Sequence, residues 1–205
     1  MNALRPDLAA IAAAIAPNTR VLDIGCGDGA LLAELRDTKQ VDARGIEIDG
    51  SCVERCVAQG LSVVQGDADS ALADYPDKGF DYAVLSQTLQ TARRPDLMLD
   101  QLLRVGKQAF VSFPNFAHWR TRSALMFGGR MPVTRAIPVS WYETQNIHHV
   151  TVKDFRELAR EKRATIEQEW FFSSEKRVSS GANWRAEFAV FQLSRQADLQ
   201  APRPA

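Results

Sequence analysis

Residues 20–30 read Arg-Val-Leu-Asp-Ile-Gly-Cys-Gly-Asp-Gly-Ala, and this stretch decides the fold. Val21, Leu22 and Ile24 make a short apolar strand, Gly25, Gly27 and Gly29 a tight turn, and residues 30–36 a helix opening directly at that turn. Glycines in such a turn let the chain reverse sharply and let a ligand approach where a Cβ would intrude. In open α/β sheets this turn lies at the carboxyl end of the strand, where ligands bind.

The pattern repeats outward from that unit. Upstream, residues 6–16 form an alanine-rich helix, with Pro6 suited to its first turn and Pro17 ending it. Downstream, apolar runs at 43–48, 61–65, 80–85 and 108–113 read as strands. Helices are predicted at 52–59 and 95–103, the latter with Leu97, Leu99, Leu102 and Leu103 as apolar positions, and a short helix or turn at 68–75. This βα alternation predicts a mostly parallel sheet with helices on both faces.

Beyond Asn115 the pattern loosens. A helix at 118–127 is broken by Gly128-Gly129, and 131–141 is a proline-interrupted loop. An irregular stretch of this length is more often a lid or binding loop than filler, so 114–150 is expected to be a lid or a partner-binding insertion. Thr151 can cap a helix running to Lys162, and 166–172 with 186–193 predict a C-terminal antiparallel hairpin at the sheet edge. Residues 1–195 thus form one domain, with a frayed tail at 196–205.

Composition excludes several classes. Lys plus Arg and Asp plus Glu both total 25, so the formal charge is zero and no nucleic-acid-binding surface is expected. The three cysteines, Cys26, Cys52 and Cys56, argue for a reducing compartment, and no nearby Cys or His completes a metal-ligand set. The N-terminal apolar run is too short to span a bilayer and lacks the form of a secretory signal, so a cytoplasmic location without membrane attachment is expected. Self-association stays open.

The flanking acids choose among nucleotide cofactors. The dinucleotide fingerprint needs its third glycine three residues after the second, whereas this chain has Gly25-x-Gly27-x-Gly29 with Ala30 beyond. Asp23 and Asp28 would repel a pyrophosphate but can pair with a cationic aminoacyl sulfonium, which favours S-adenosylmethionine (or S-adenosylhomocysteine). Glu47, with Ile48 beside it, ends the second strand, where a carboxylate can accept ribose hydroxyls. Asp67 can receive an adenine amino group while Ala68 offers a backbone N–H, and Ser86 and Gln87 follow the fourth strand near the methionyl end. Plainer roles stand beside each: turn satisfaction for Asp23 and Asp67, solvated surface for Glu47, loop polarity for Ser86 and Gln87. Cys26 reads as a small filler between glycines.

The successive motifs VLDIGCGDG, GIEID, GDAD and FDYAVLSQTLQ resemble those of class I S-adenosylmethionine-dependent methyltransferases. With SQTLQ, SFPNFAHWR, GGRMPVT and WYETQNIHH, the stretch from about Arg20 to Phe172 resembles more narrowly the methionine biosynthesis protein MetW family. The resemblance implies a Rossmann-like methyltransferase fold. It matches Asp23, Gly25, Gly27 and Gly29 to the loop around the methionyl end, Glu47 to the ribose-binding acid, and Asp67 to the residue near adenine. It also implies a role beside a homoserine O-acyltransferase, either O-acetyl or O-succinyl, rather than an established methyl acceptor.

Catalytic residues are not identifiable from sequence. Gln87, His118, Trp119, Arg120, Tyr142, His148 and His149 are acceptor-side candidates, and SFPN lacks the Asn-Pro-Pro-aromatic signature of amino-group methylation. Phe113, Phe116, Trp119, Phe127, Met131, Trp141 and Tyr142, interleaved with Arg120, Arg122, Arg130 and Arg135, have the composition of a protein interface or of a lid's small core.

Overall fold

A computed structural model describes residues 4–134 and 136–195; Arg135 and the tail at 196–205 lie outside the described residues. The central strand is β1 (Arg20–Ile24), paired in parallel with β2 (Asp42–Glu47) on one side and β4 (Phe80–Ser86) on the other. β3 (Ser62–Gln65) extends the sheet beyond β2, and β5 (Gly106–Pro114) beyond β4, both parallel. β6 (Ala164–Ser173), the two-residue β7 (Lys176–Arg177) and β8 (Phe188–Arg195) complete the order β3-β2-β1-β4-β5-β8-β6-β7.

The two C-terminal strands pair antiparallel as expected, but the last one inserts between β5 and β6 rather than lying at the edge. Burial explains the placement. Ala189, Phe191 and Leu193 point to one face of the sheet and Val190 to the other, and all four are fully buried, so β8 needs a neighbour on each side and a cover on each face.

Helices cover both faces. On one, α5 (Pro95–Val105) and α7 (Val152–Glu161) bury Met98, Leu99, Leu102, Leu103, Val152 and Phe155 against the sheet, where Phe113, Phe155 and Phe191 cluster with ring centroids 4.6–5.8 Å apart. The phase of α5 differs from the sequence expectation: Leu97 is exposed, and Met98 takes the core position. On the other face lie α1 (Pro6–Ala14) and α2 (Ala30–Lys39), through Leu8, Ile11, Leu31 and Leu35. α3 (Gly50–Ala58) joins them, and Cys56 is buried beside Cys26, Leu32 and Leu61, whereas Cys52 on the same helix is half-exposed.

Helix termini are fixed by one contact distant in sequence and by local caps. Lys39 Nζ donates to the carbonyls of Ala12, Ala13 and Ile15 at 2.5–3.1 Å, capping the end of α1. Asp49 caps α3 through Ser51 N, and Thr151 caps α7 through Asp154 N. No helix among the described residues is long and apolar enough to cross a membrane.

Candidate functional site

The carboxyl ends of β1, β2, β3 and β4 converge on one cavity of about 430 Å³, within the range of small-molecule sites. Of the residues singled out from sequence, Gly25, Glu47, Ile48, Asp67, Ala68 and Gln87 line it, with Thr88 from the same 86–90 turn, and are joined by Met98 and Gln145, which sequence reasoning did not single out. A larger groove of about 890 Å³ runs along the flank between α1 and the antiparallel strands, but none of the loops that follow β1–β4 reaches it. Position at the strand ends, rather than size, identifies the site.

The glycine turn is held from three directions. Gly25, Gly27 and Gly29 all take positive φ, between +57° and +77°. A Cβ on Gly25 would collide with the Thr88 Oγ1, so this glycine keeps the cavity wall open. Gly25 N and Cys26 N both donate to Ile46 O, and Gly27 N donates to Glu47 Oε2 at 2.8 Å. Gly29 starts α2 with no side-chain cap of its own.

Glu47 also accepts from Ile48 N at 2.8 Å and Asp49 N at 2.9 Å, both at Oε1. A carboxylate offers about four acceptor positions. Three are used by this loop, and Oε2 keeps capacity for one more donor such as a hydroxyl. Asp67 caps α4 (Ala68–Ala71) through Asp69 N at 3.0 Å and faces Arg93 at 3.4 Å.

Asp23 is deeply buried, and its Oδ1 has no hydrogen-bond partner. Burial drives its carboxyl up from 3.8 to about 7, against the attraction of Arg5 and reinforced by Glu47 and Asp7. An unpaired buried carboxylate costs free energy that a cation can offset. Cys26 is pushed higher still by burial and by Asp23, so it is an inert thiol packed under the turn. Asp28 is exposed and accepts from Ala30 N at 3.3 Å.

Ser86 lies outside the cavity. Its hydroxyl receives Arg5 at 3.0 Å and meets Asp7 Oδ2 at 3.2 Å, while Ser112 also donates to Asp7 at 3.0 Å. Gln87 bridges this network to the cavity, its backbone N–H on Ser112 Oγ. A link from Asp7 to Ser112 joins residues 105 apart and leaves no local sequence signal.

The segment at 114–150 begins at a buried hub. Asn115 accepts from Ala117 N and Val152 N and donates to Ala186 O at 2.8 Å, tying β5 to α7 and to α8 (Ala182–Arg185). His118 caps α6 (Trp119–Gly128) through Arg120 N, and burial lowers its pKa. Phe113 and Phe116 are buried in the body of the protein rather than surface-forming. His149 packs edge-on against Phe116 at 4.6 Å. Ile147 N and His148 N both donate to Gln90 O, which sets Gln145 over the cavity. His118 and His149 thus have structural roles, whereas His148 Nε2 and Gln90 Oε1 are buried without partners. Among the described residues no cluster of His, Cys, Asp and Glu could hold a metal ion.

The model of the methionine biosynthesis protein MetW family matches residues 5–193. The chain belongs to the MetW family. A bifunctional methionine biosynthesis protein MetXA/MetW from Rhodopirellula baltica is 31% identical, the match covering 94% of this chain and 33% of that protein. This MetW-family chain therefore spans about a third of the length of the curated relative it matches. Among solved structures it is similar to an S-adenosylmethionine-dependent methyltransferase from Archaeoglobus fulgidus (TM-score 0.70, 16% identity, 92% and 91% of the two chains). A counterpart from Mesorhizobium loti gives TM-score 0.66 at 18% identity over 93% and 98%. The [4+2]-cyclase SpnF also matches, at TM-score 0.66 and 18% identity over 93% and 80%. The fold is the Rossmann-like class I methyltransferase fold, and its presence in a cyclase separates fold from reaction.

Proposed function

We propose that this MetW-family chain binds S-adenosylmethionine or S-adenosylhomocysteine and supports a homoserine O-acyltransferase in methionine biosynthesis. The observation that carries the partnership is the fusion of MetXA and MetW in the Rhodopirellula protein, since activities joined in one chain commonly act together.

The site fits the cofactor chemically. Asp23, which does not itself line the cavity, holds an unpartnered buried oxygen two residues before the lining Gly25 that a cationic ligand can compensate, Glu47 Oε2 retains an acceptor position for a ribose hydroxyl, and Ile48 and Met98 offer apolar contact at the adenine end. Asp67 and Ala68 would meet the base, and Gln87 and Gln145 would close the cavity. When bound, the cofactor supplies an electrophilic methyl group; the protein's own groups orient it and exclude water. Calorimetric titration with S-adenosylmethionine, alongside homoserine acylation assays of the acyltransferase from the same genome, tests both halves. Absence of saturable binding removes the cofactor, and unchanged acylation with no complex removes the partner.

A second reading, methyl transfer to an acceptor, is favoured by the unpartnered buried atoms His148 Nε2 and Gln90 Oε1, whose residues are joined through Gln90 O and tied by Gln90 Nε2 to the carbonyl of the cavity-lining Gln87. An acceptor hydroxyl or amine could satisfy both, with His148 as its base. Labelled-methyl transfer to cell extract that disappears in His148→Gln would support it. Lack of transfer across an acceptor panel would leave the first reading alone.

A further inference from the structure

Ten of the fifteen large apolar side chains that stand exposed among the described residues fall between Trp119 and Ile147. Phe127, Met126, Trp141 and Tyr142 are each more than two-thirds exposed. Thr121 is the buried residue of α6, so this helix contributes almost nothing to the core. A lid closing on its own cavity would turn these side chains inward, yet Gln145 is what this segment contributes to the cavity wall. The insertion therefore divides: Gln145 lines the strand-end cavity, Trp119, Leu125, Met126, Phe127 and Tyr142 stand exposed, and Met131, Val139 and Trp141 with the buried Ile137 line a separate apolar cleft of about 260 Å³ against Phe116 and His149.

Cations also outnumber anions on the outward part, with Arg120 paired to Glu187 at 3.8 Å and the exposed Glu143 following Tyr142. Between Trp119 and Tyr142 the sequence has no Asp or Glu, and Arg120, Arg122 and Arg130 are exposed around the apolar surface. Arg120 lies over Trp119 and Arg122 over Trp184, each 5.3 Å from the ring, which holds aromatic and cationic groups together at the rim. Exposed aromatics and Met ringed by Arg are the composition of an interface centre with its polar rim.

We propose that this face, centred on Phe127 and Trp141, docks the homoserine O-acyltransferase, through a partner surface that is apolar at its centre and acidic at its rim. The occupant rests on the partnership proposed above; the surface rests on the exposure and charge. A second copy of this chain is a poorer fit, because a two-fold contact through this face would set arginine rims against each other.

The test compares the full-length chain with Phe127→Asp and Trp141→Asp, and with Val57→Asp as a control at another exposed apolar position. Binding to the purified acyltransferase from the same genome is measured by calorimetry, with thermal unfolding and S-adenosylmethionine titration on each variant. The surface is supported if both variants lose at least about a hundredfold in affinity while Val57→Asp does not, with folding and cofactor binding intact. Wild-type association that survives both substitutions overturns the docking surface alone. A wild-type chain that does not associate overturns the partnership and the docking with it. If the substitutions instead convert a self-associated chain to monomer without weakening the acyltransferase complex, the occupant is a second copy and the proposal is wrong.

Discussion

Replacing Asp23 with Asn should change how stability depends on pH, and the size follows from the burial of that carboxyl. The group titrates at about 7 when folded and at 3.8 ordinarily, a difference of about 3 units and thus about 4 kcal/mol. Because the folded-state value is raised, the folded chain holds a proton that the unfolded chain has released between about pH 4 and pH 7. Stability without ligand therefore falls as pH rises through that window and is level above it. Between about pH 5 and pH 8 the Asp23 contribution should decline by about 3 kcal/mol, a loss the Asn side chain cannot show because it does not ionise. Urea unfolding of wild type and Asp23→Asn across that range measures the difference directly. The stability gap should move in favour of the variant as pH rises. With saturating S-adenosylmethionine the gap should close, because a cationic ligand stabilises the ionised carboxylate, and the variant should bind it at least about tenfold more weakly. Parallel stability curves for the two proteins would refute the reasoning.

Other substitutions separate the parts of the site. Gly25→Ala should cost about 1–3 kcal/mol in denaturant unfolding and abolish cofactor binding, because it adds a Cβ against Thr88 at positive φ; Gly25→Ala with Thr88→Ala should recover only the steric part. Glu47→Gln retains one acceptor oxygen for the three loop amides, so unfolding should show a loss of about 1–3 kcal/mol and the adenosine moiety should bind more weakly. Asn115→Ala strands Ala117 N and Val152 N and should cost about 2–4 kcal/mol, with amide exchange rising first in 115–118 and at the start of α7.

Elements governed by local chemistry were readable from the sequence. The strand–glycine–helix unit at Arg20 to Lys39, the proline start of α1 and the Thr151 cap each follow from residue type and spacing, and the structure has them within a few residues of the expected bounds. What depends on distant partners was not. The insertion of β8 beside β5 is decided by two-sided burial after the sheet assembles, and Met98 rather than Leu97 faces the core because a one-residue phase shift leaves the leucine pattern almost unchanged. The cavity gathers Gly25, Glu47, Asp67 and Gln87 from four separate turns, the first three marked in advance by residue type and Gln87 by its position after the fourth strand. Gln145 carries no such mark. Its role arises from the anchoring of Ile147 and His148 to Gln90 O.

The most direct test of the account is the rate of homoserine acylation by the acyltransferase from the same genome, measured as this chain is titrated in, with and without S-adenosylmethionine. The account predicts that the rate rises to a plateau at a fixed stoichiometry and that S-adenosylmethionine shifts the titration for wild type but not for Asp23→Asn. A rate that stays constant throughout the titration, with or without the cofactor, would contradict it.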